Sequence, residues 1–385
     1  MDYIQQEFNV RFDYKVYFTS ALFNSSNPLF DNFFTERNTA PFQKIFFVID
    51  RNVINAHTGL LEEISSYFKK YNTVLLIEDI IVAPGGEAAK NDLTLFNQIV
   101  HAVNSYNIDR HSYIAAIGGG SILDVAGYAA AVSHRGIRHI RIPTTTLSQN
   151  DSGVGVKNSI NYFNKKNFLG TFAPPVAVFN DAQFLHTLSY RDWRSGISEA
   201  VKVALIKDAV FFDWIESNTN KLVSRDIDTM NHLIRRCAEL HLQHIAGGDP
   251  FEMGSSRPLD FGHWSAHKLE QLTKFELLHG EAVVMGIALD TMYSSLSDKL
   301  PVEKAERIIQ LLIQLGFEVT HPFLEIEKDS NILSGLNEFR EHLGGRLTIM
   351  LLRDIGKGEE VHEIDIDLLI EASRQLMRWR QLLER

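Results

Sequence analysis

A chain of 385 residues, 45% hydrophobic and 22% charged, has globular composition and is long enough for two domains. Its net charge of −10 argues against non-specific nucleic-acid binding, and any anionic ligand must meet a locally basic site. A single cysteine, Cys237, excludes an intrachain disulfide framework and any multi-cysteine metal site.

Cys237 is expected as a small buried residue on a helix. The first seven residues carry neither a basic nor an apolar signal segment, and no apolar run is long enough to cross a bilayer. The expectation is a cytoplasmic protein with neither membrane nor nucleic acid as partner.

Residues 1–43 mix strand-like segments, such as 10–18, with a Ser/Asn/Pro turn at 24–28, and read as an edge hairpin or extension. Residues 45–49 form a continuous apolar run, the mark of a buried parallel strand. It ends at Asp50 and Asn52, where open α/β sheets bind ligands; the same residues also suit a helix cap. A helical stretch at 60–70 leads to a strand at 73–77. Pro84, Gly85 and Gly86 make a turn, after which Glu87 and Lys90 stand at i and i+3, a spacing that an ordinary surface pair also uses.

An amphipathic helix at 92–106 and a buried strand at 113–117 complete a β-α-β-α-β alternation, which predicts a parallel, Rossmann-like sheet. Gly118, Gly119, Gly120 and Ser121 do not match G-x-G-x-x-G, and a glycine triplet alone is a weak signal. Here it stands between a strand and a small-residue helix at 124–131, where backbone N–H groups approach a pyrophosphate. Asp124 suits either a ribose contact or the helix dipole. A strand at 137–142 ends in Pro143 and the hydroxyls of Thr144, Thr145 and Thr146, and 176–179 reads as the last strand of the sheet. Between them Asp151, Ser152, Lys157, Lys166 and Asn167 gather lysine and amide donors suited to a phosphorylated ligand.

From Leu185 the periodicity turns helical, with helices expected at 193–216, 228–245, 263–272, 280–296 and 302–315. The fold class expected is α/β plus all-α: a Rossmann-like domain over 1–182 and a helical domain over 183–385, with the active cleft between them. Glu199 and Lys202 share one helix face at i and i+3. His263 and His267 follow Gly262 at i and i+4, and His279 stands just before another helix. Glu199, His263 and His279 would supply one carboxylate and two imidazoles with open positions for substrate oxygens, the pattern of a catalytic zinc-type site.

Taken in order, these motifs resemble 3-dehydroquinate synthase and the wider sugar phosphate cyclases over residues 45–360. The matching segments are Asp50-x-Asn52, Gly85-Gly86-Glu87-x-x-Lys90, Gly118-Gly119-Gly120-x-x-x-Asp124, Arg135-Gly136, Pro143-Thr144-Thr145, Asp151-Ser152, Lys157, Lys166-Asn167-Phe168-x-Gly170, Ser195-Gly196-x-x-Glu199-x-x-Lys202, Gly262-His263 and His279-Gly280-Glu281. Each is short; their collinear order is specific. The resemblance implies NAD held by Asp50, Asn52, Glu87, Lys90, Gly119, Gly120, Ser121, Asp124, Thr144, Thr145, Leu147, Asp151, Ser152, Thr187 and Leu188. It implies a divalent metal, zinc or cobalt, on Glu199, His263 and His279. Lys157, Lys166 and Asn167 would hold the phosphate of a phosphorylated sugar, with Arg135 reaching in from the other subunit of a homodimer. Lys202 and His267 would contact substrate hydroxyls or assist proton movement.

The implied reaction oxidises a secondary alcohol transiently, eliminates phosphate, returns the hydride and closes a carbocycle by an intramolecular aldol step. The protein's share is largely orientation and electrostatics.

Departures from dehydroquinate synthase lie at the substrate end. His241 follows Glu239 and Leu240 where a lysine is usual, Arg257 stands one place closer to the histidine than the usual arginine, and Asp260 replaces an asparagine. Near the C-terminus Arg340, Glu341 and His342 replace Asp-Lys-Lys. Exchanging a cation for imidazole and adding an acid weakens a carboxylate site. The pattern is similar to sedoheptulose 7-phosphate cyclases, and residues 248–264 also resemble the EboD-type branch. A slipped alignment, with Arg257 in the usual role, leaves dehydroquinate synthase as the alternative. A polyol dehydrogenase of the same fold and a non-catalytic scaffold complete the set of readings.

Overall fold

The computed structural model describes residues 2–37, 42–163, 165–247, 250–251, 258–342 and 345–383. Arg257 falls outside them, as does the side chain of His342. The chain divides into two compact units, Met1–Thr144 with Val156–Asp181, and Thr145–Gly155 with Ala182–Arg385.

The first unit carries a seven-stranded sheet built from β1 (Lys15–Thr19), β2 (Lys44–Asp50), β3 (Leu75–Leu76), β4 (Ile81–Ala83), β5 (Tyr113–Gly118), β6 (Arg138–Pro143) and a strand at Ala177–Asp181. Its helices are α1 (Leu29–Glu36), α2 (Arg51–Ala56), α3 (Leu60–Lys70), α4 (Thr94–Ser105) and α5 (Gly120–Val132). An antiparallel hairpin, β7 (Lys157–Tyr162) and β8 (Lys165–Phe172), precedes the last sheet strand, β9 (Ala177–Asp181). The order is β1-β9-β6-β5-β2-β3, with β4 beside β2, and every pairing is parallel.

The apolar runs behave as a doubly covered sheet requires: β5 is buried throughout, and β2 is buried after its first residue. Phe46, Val48, Ile114, Ala116, Ile122 and Val125 share one core. The N-terminal stretch does not fold back as a hairpin. Instead β1 pairs with β9, from Lys15 opposite Ala177 to Thr19 opposite Asp181. The following α1 buries Phe30, Phe33 and Phe34, with Phe30 and Phe33 packed on the Phe179 ring. Burying these rings ties the N-terminal segment to that edge of the sheet.

The second unit contains α6 (Tyr190–Lys207), α7 (Ala209–Ser217), α8 (Thr219–Val223), α9 (Ile227–Ala246), α10 (His263–Leu272), α11 (His279–Leu296), α12 (Val302–Gln314), α13 (Ser334–His342) and α14 (Ile366–Leu383). The helix expected at 193–216 is two helices, because Asp208 accepts the Phe211 N–H at 3.0 Å and so caps a new start. One antiparallel hairpin, β10 (Ile349–Asp354) with β11 (Lys357–Val361), interrupts the helical pattern. Cys237 is buried on α9.

Candidate active site

Ser189 opens α6 by accepting the Asp192 N–H, and from Ser195 to Ile206 the helix is buried on every side. Glu199 and Lys202 therefore leave water together. They form an ion pair one turn apart, with side chains 0% and 3% exposed. Oε1 of Glu199 accepts no hydrogen bond among the described residues, yet it lies 3.8 Å from Nε2 of both His263 and His279. Ligand atoms of the three residues all fall within 4.8 Å of one another.

Those spacings fit a divalent ion. Tetrahedral ligands about 2.1 Å from a zinc stand roughly 3.4 Å apart, and an orphaned buried carboxylate oxygen is costly without such a partner. The imidazoles are oriented for it. His263 Nδ1 faces the Phe261 carbonyl at 3.1 Å, and His279 Nδ1 faces Glu270 Oε2 at 3.3 Å. With the Nδ1 protons donated there, both Nε2 lone pairs turn towards Glu199.

Two supporting acids escaped the sequence reading. Glu270 is buried beside His279. Asp290 on α11 accepts the Gly262 N–H at 3.0 Å and Trp264 Nε1–H at 2.9 Å, gripping the start of α10 on either side of His263. Gly262 has φ +77, and a β-carbon there would come within 2.6 Å of the Ile287 nitrogen, so this close backbone approach requires glycine. The available signal was an acid inside the otherwise apolar and small-residue run of α11.

The charges are set by burial first. Burial raises the Glu199 carboxyl above its ordinary value despite the Lys202 ammonium. Burial opposes the Lys202 charge, but Glu199 and Asp151 outweigh it and its pKa rises. Burial, with Lys202 nearby, holds His263 well below its ordinary value, so the ring is neutral and able to ligate. Asp151 is half-buried; burial would raise it, but the His241 hydrogen bond and charge, followed by Lys202, hold it below the usual range. Its Oδ1 lies 3.0 Å from His241 Nδ1. The His267 ring stacks on His279 at 5.9 Å and meets His263 edge-on at 5.4 Å. Asp260 acts electrostatically on Lys202. Six residues assigned through the resemblance to NAD, namely Thr145, Leu147, Asp151, Ser152, Thr187 and Leu188, belong to this second unit.

In the first unit Asp50 accepts the Asn52 N–H at 2.8 Å and caps α2. Gly119 caps α5 without a side chain, which leaves the helix N-terminus open to an anion and fits a pyrophosphate. Glu87 and Lys90 are not a surface pair. Lys90, 3% exposed, donates to Asp124 at 2.6 Å, to Ser159 at 3.1 Å and to Asn167. Glu87 accepts from Ser121 at 3.1 Å and Asn161 at 3.0 Å. Arg135 is exposed in the turn after α5. Lys157 and Lys166 stand towards opposite ends of the β7–β8 hairpin; the Lys157 carbonyl is held by Arg141 Nη2 at 2.8 Å.

Two family descriptions match end to end: 3-dehydroquinate synthase N-terminal over residues 80–195 and 3-dehydroquinate synthase C-terminal over 196–335. A 3-dehydroquinate synthase of Nitrosospira multiformis is 35% identical over 311 residues, 80% of this chain and 84% of that protein. The chain belongs to the 3-dehydroquinate synthase family. It is accordingly an enzyme of the carbon–oxygen lyase kind, a cyclase like its relatives. Among solved structures, ValA, the 2-epi-5-epi-valiolone synthase of Streptomyces hygroscopicus with NAD+ and Zn2+ bound, superposes with a TM-score of 0.86 at 27% identity, covering 97% of this chain and 99% of that one. A 2-deoxy-scyllo-inosose synthase complexed with carbaglucose-6-phosphate, NAD+ and Co2+ shares the fold, with a TM-score of 0.76 at 23% identity over 94% of this chain and 96% of that one.

Proposed function

We propose that this member of the 3-dehydroquinate synthase family is a sugar phosphate cyclase acting on a seven-carbon ketose phosphate of the sedoheptulose 7-phosphate type. The observation that carries the cyclase reading is the buried Glu199 oxygen 3.8 Å from two imidazole nitrogens, oriented as metal ligands. When bound, NAD and a divalent metal supply reversible hydride transfer and polarisation of the substrate alcohol. Glu199, His263 and His279 hold the metal. Lys202 and His267 bind substrate hydroxyls and move protons at them. Lys157, Lys166 and Asn167 bind the phosphate and orient it as the leaving group. The same reading makes the enzyme a cytoplasmic homodimer, with the exposed Arg135 serving the other subunit's phosphate.

The substrate preference rests on charge. His241 stands where dehydroquinate synthases carry a lysine, and its ring is engaged by Asp151 at 3.0 Å. Asp260 adds a further acid near Lys202. A substrate carboxylate would meet weakened cationic support there, whereas a neutral hydroxymethyl end would not need it. The 27% identity to a 2-epi-5-epi-valiolone synthase across nearly the whole chain supports the same direction.

A second reading is 3-dehydroquinate synthase itself, favoured by the 35% and 33% identities to proteins of that name. Family membership and Glu199 speak against a polyol dehydrogenase. Incubation with sedoheptulose 7-phosphate and, separately, with the seven-carbon acid phosphate of the shikimate pathway, following phosphate release and identifying the ring product, decides between the readings. Turnover of the acid alone overturns the ketose proposal.

A further inference from the structure

We propose that Asn161, seconded by Ser159, is a positioning residue that clamps Asn167 to the Glu87–Lys90 turn and so sets the geometry of the phosphate seat. The inference rests on the reading of a phosphorylated substrate. Residues 159 and 161 are two apart on β7, and the side chains of both bond to Asn167. Both are buried.

Asn161 makes three directional bonds. Its Nδ2 donates to Glu87 Oε1 at 3.0 Å and Asn91 Oδ1 at 2.7 Å, and its Oδ1 accepts the Asn167 N–H at 2.8 Å. Asn167 has φ +55, a left-handed conformation that asparagine adopts more readily than most residues, and the Asn161 oxygen fixes its N–H in that turn. Ser159 Oγ lies 2.8 Å from Asn167 Oδ1, 3.1 Å from Lys90 Nζ and 3.3 Å from Asp124 Oδ2.

Lys90 also donates to Asn167 Oδ1. With a cation and a hydroxyl on that oxygen, the Asn167 amide has one orientation, and its Nδ2 protons are directed to a ligand oxygen. The Glu87 and Lys90 pair thus braces the anion-binding tip of the hairpin, in addition to its part on the cofactor side through Ser121 and Asp124. Loss of Asn161 frees the tip while Ser121 still holds Glu87 and Asp124 still holds Lys90, so the effect should separate phosphate from NAD.

Isothermal titration of the metal-loaded protein with inorganic phosphate and with NAD+ tests this. Asn161→Ala is expected to weaken phosphate at least fivefold while the NAD+ dissociation constant stays within twofold. Ser159→Ala should weaken phosphate by a smaller factor, with Ser159→Thr restoring it; this pair carries the test if Asn161→Ala fails to fold. Unchanged phosphate affinity in a folded variant, or equal weakening of both ligands, overturns the clamp. If the unaltered protein binds NAD+ but no phosphate, the phosphorylated-substrate reading itself falls and takes the clamp with it.

Discussion

Glu199 and Lys202 form an ion pair one helical turn apart, buried almost completely, and the same carboxylate faces His263 and His279. A buried pair of this kind is weak evidence for stability, because desolvation offsets the attraction. Its retention makes sense if the carboxylate is a ligand and the ammonium works beside it.

Glu199→Gln should therefore abolish tight metal binding. After dialysis, elemental analysis is expected to find less than about a tenth of the unaltered protein's metal. Lys202 would keep Asp151 as a charge partner but lose the nearer one. Removing one member of a buried pair costs about 3 kcal/mol, so the metal-free variant should also melt at a lower temperature. Unchanged metal content would dismantle the ligand assignment.

Asp290 predicts a pH effect. Burial raises its pKa from 3.8 to about 7, in spite of the Trp264 and Gly262 hydrogen bonds. The folded chain thus holds this proton more tightly than the unfolded one. Its stabilising contribution is full below about pH 4 and is lost as the pH rises towards 7. In chelator, calorimetry at pH 5 and pH 7.5 should show a smaller change in melting temperature for Asp290→Asn than for the unaltered protein. The variant replaces an acceptor by a donor at the start of α10, so its metal affinity should drop about tenfold. Equal pH slopes in the two proteins would mean that Asp290 does not titrate in this range.

Much of this architecture was legible because burial on both faces leaves an unmistakable apolar run, as in β2 and β5, and because α10 begins at His263 where Gly262 permits the turn. The β7–β8 hairpin was not legible. Its buried positions include Asn158, Ser159 and Asn161, whose polarity hides the strand but serves the hydrogen-bonded cluster around Lys90. The break between α6 and α7 was hidden because Asp208 interrupts no apolar periodicity; it only caps. Glu199, His263 and His279 lie far apart in sequence, so spacing alone offered a chemical pattern and the resemblance gave it weight. The i, i+3 spacing of Glu87 and Lys90 leaves a surface pair open and cannot reveal that the ion-pair partner of Lys90, Asp124, comes from another element.

Gly85 offers a test of the cofactor side. A β-carbon at this position would stand 2.2 Å from Asn52 Nδ2 and 2.6 Å from Asp50 Oδ1, closer than real contacts allow. Gly85→Ala must push both side chains aside, and under the NAD assignment it should weaken NAD+ by about tenfold, or roughly 1.4 kcal/mol. Fluorescence titration with NAD+ measures this, and metal content should not change, because Glu199, His263 and His279 belong to the other unit. Full NAD+ affinity would remove Asp50 and Asn52 from the cofactor site.

The sharpest test of substrate choice is His241→Lys. His241 is one of the groups holding Asp151 ionised, at 3.0 Å, and a lysine there can maintain that pairing while carrying a permanent charge on a longer, more mobile stem. If position 241 faces the end of the substrate where a carboxylate would sit, the added cation favours the acid phosphate over the neutral ketose phosphate. A charge pair at about 4 Å with an effective dielectric near 20 is worth about 4 kcal/mol before solvation costs, so even a heavily screened remainder should move the ratio of kcat/KM values about tenfold towards the acid. Where the carboxylate is bound alike in ground and transition states, the effect should appear mainly in KM. Parallel changes with both substrates would mean that residue 241 acts only through Asp151, and the charge argument for a neutral substrate would lose its main support.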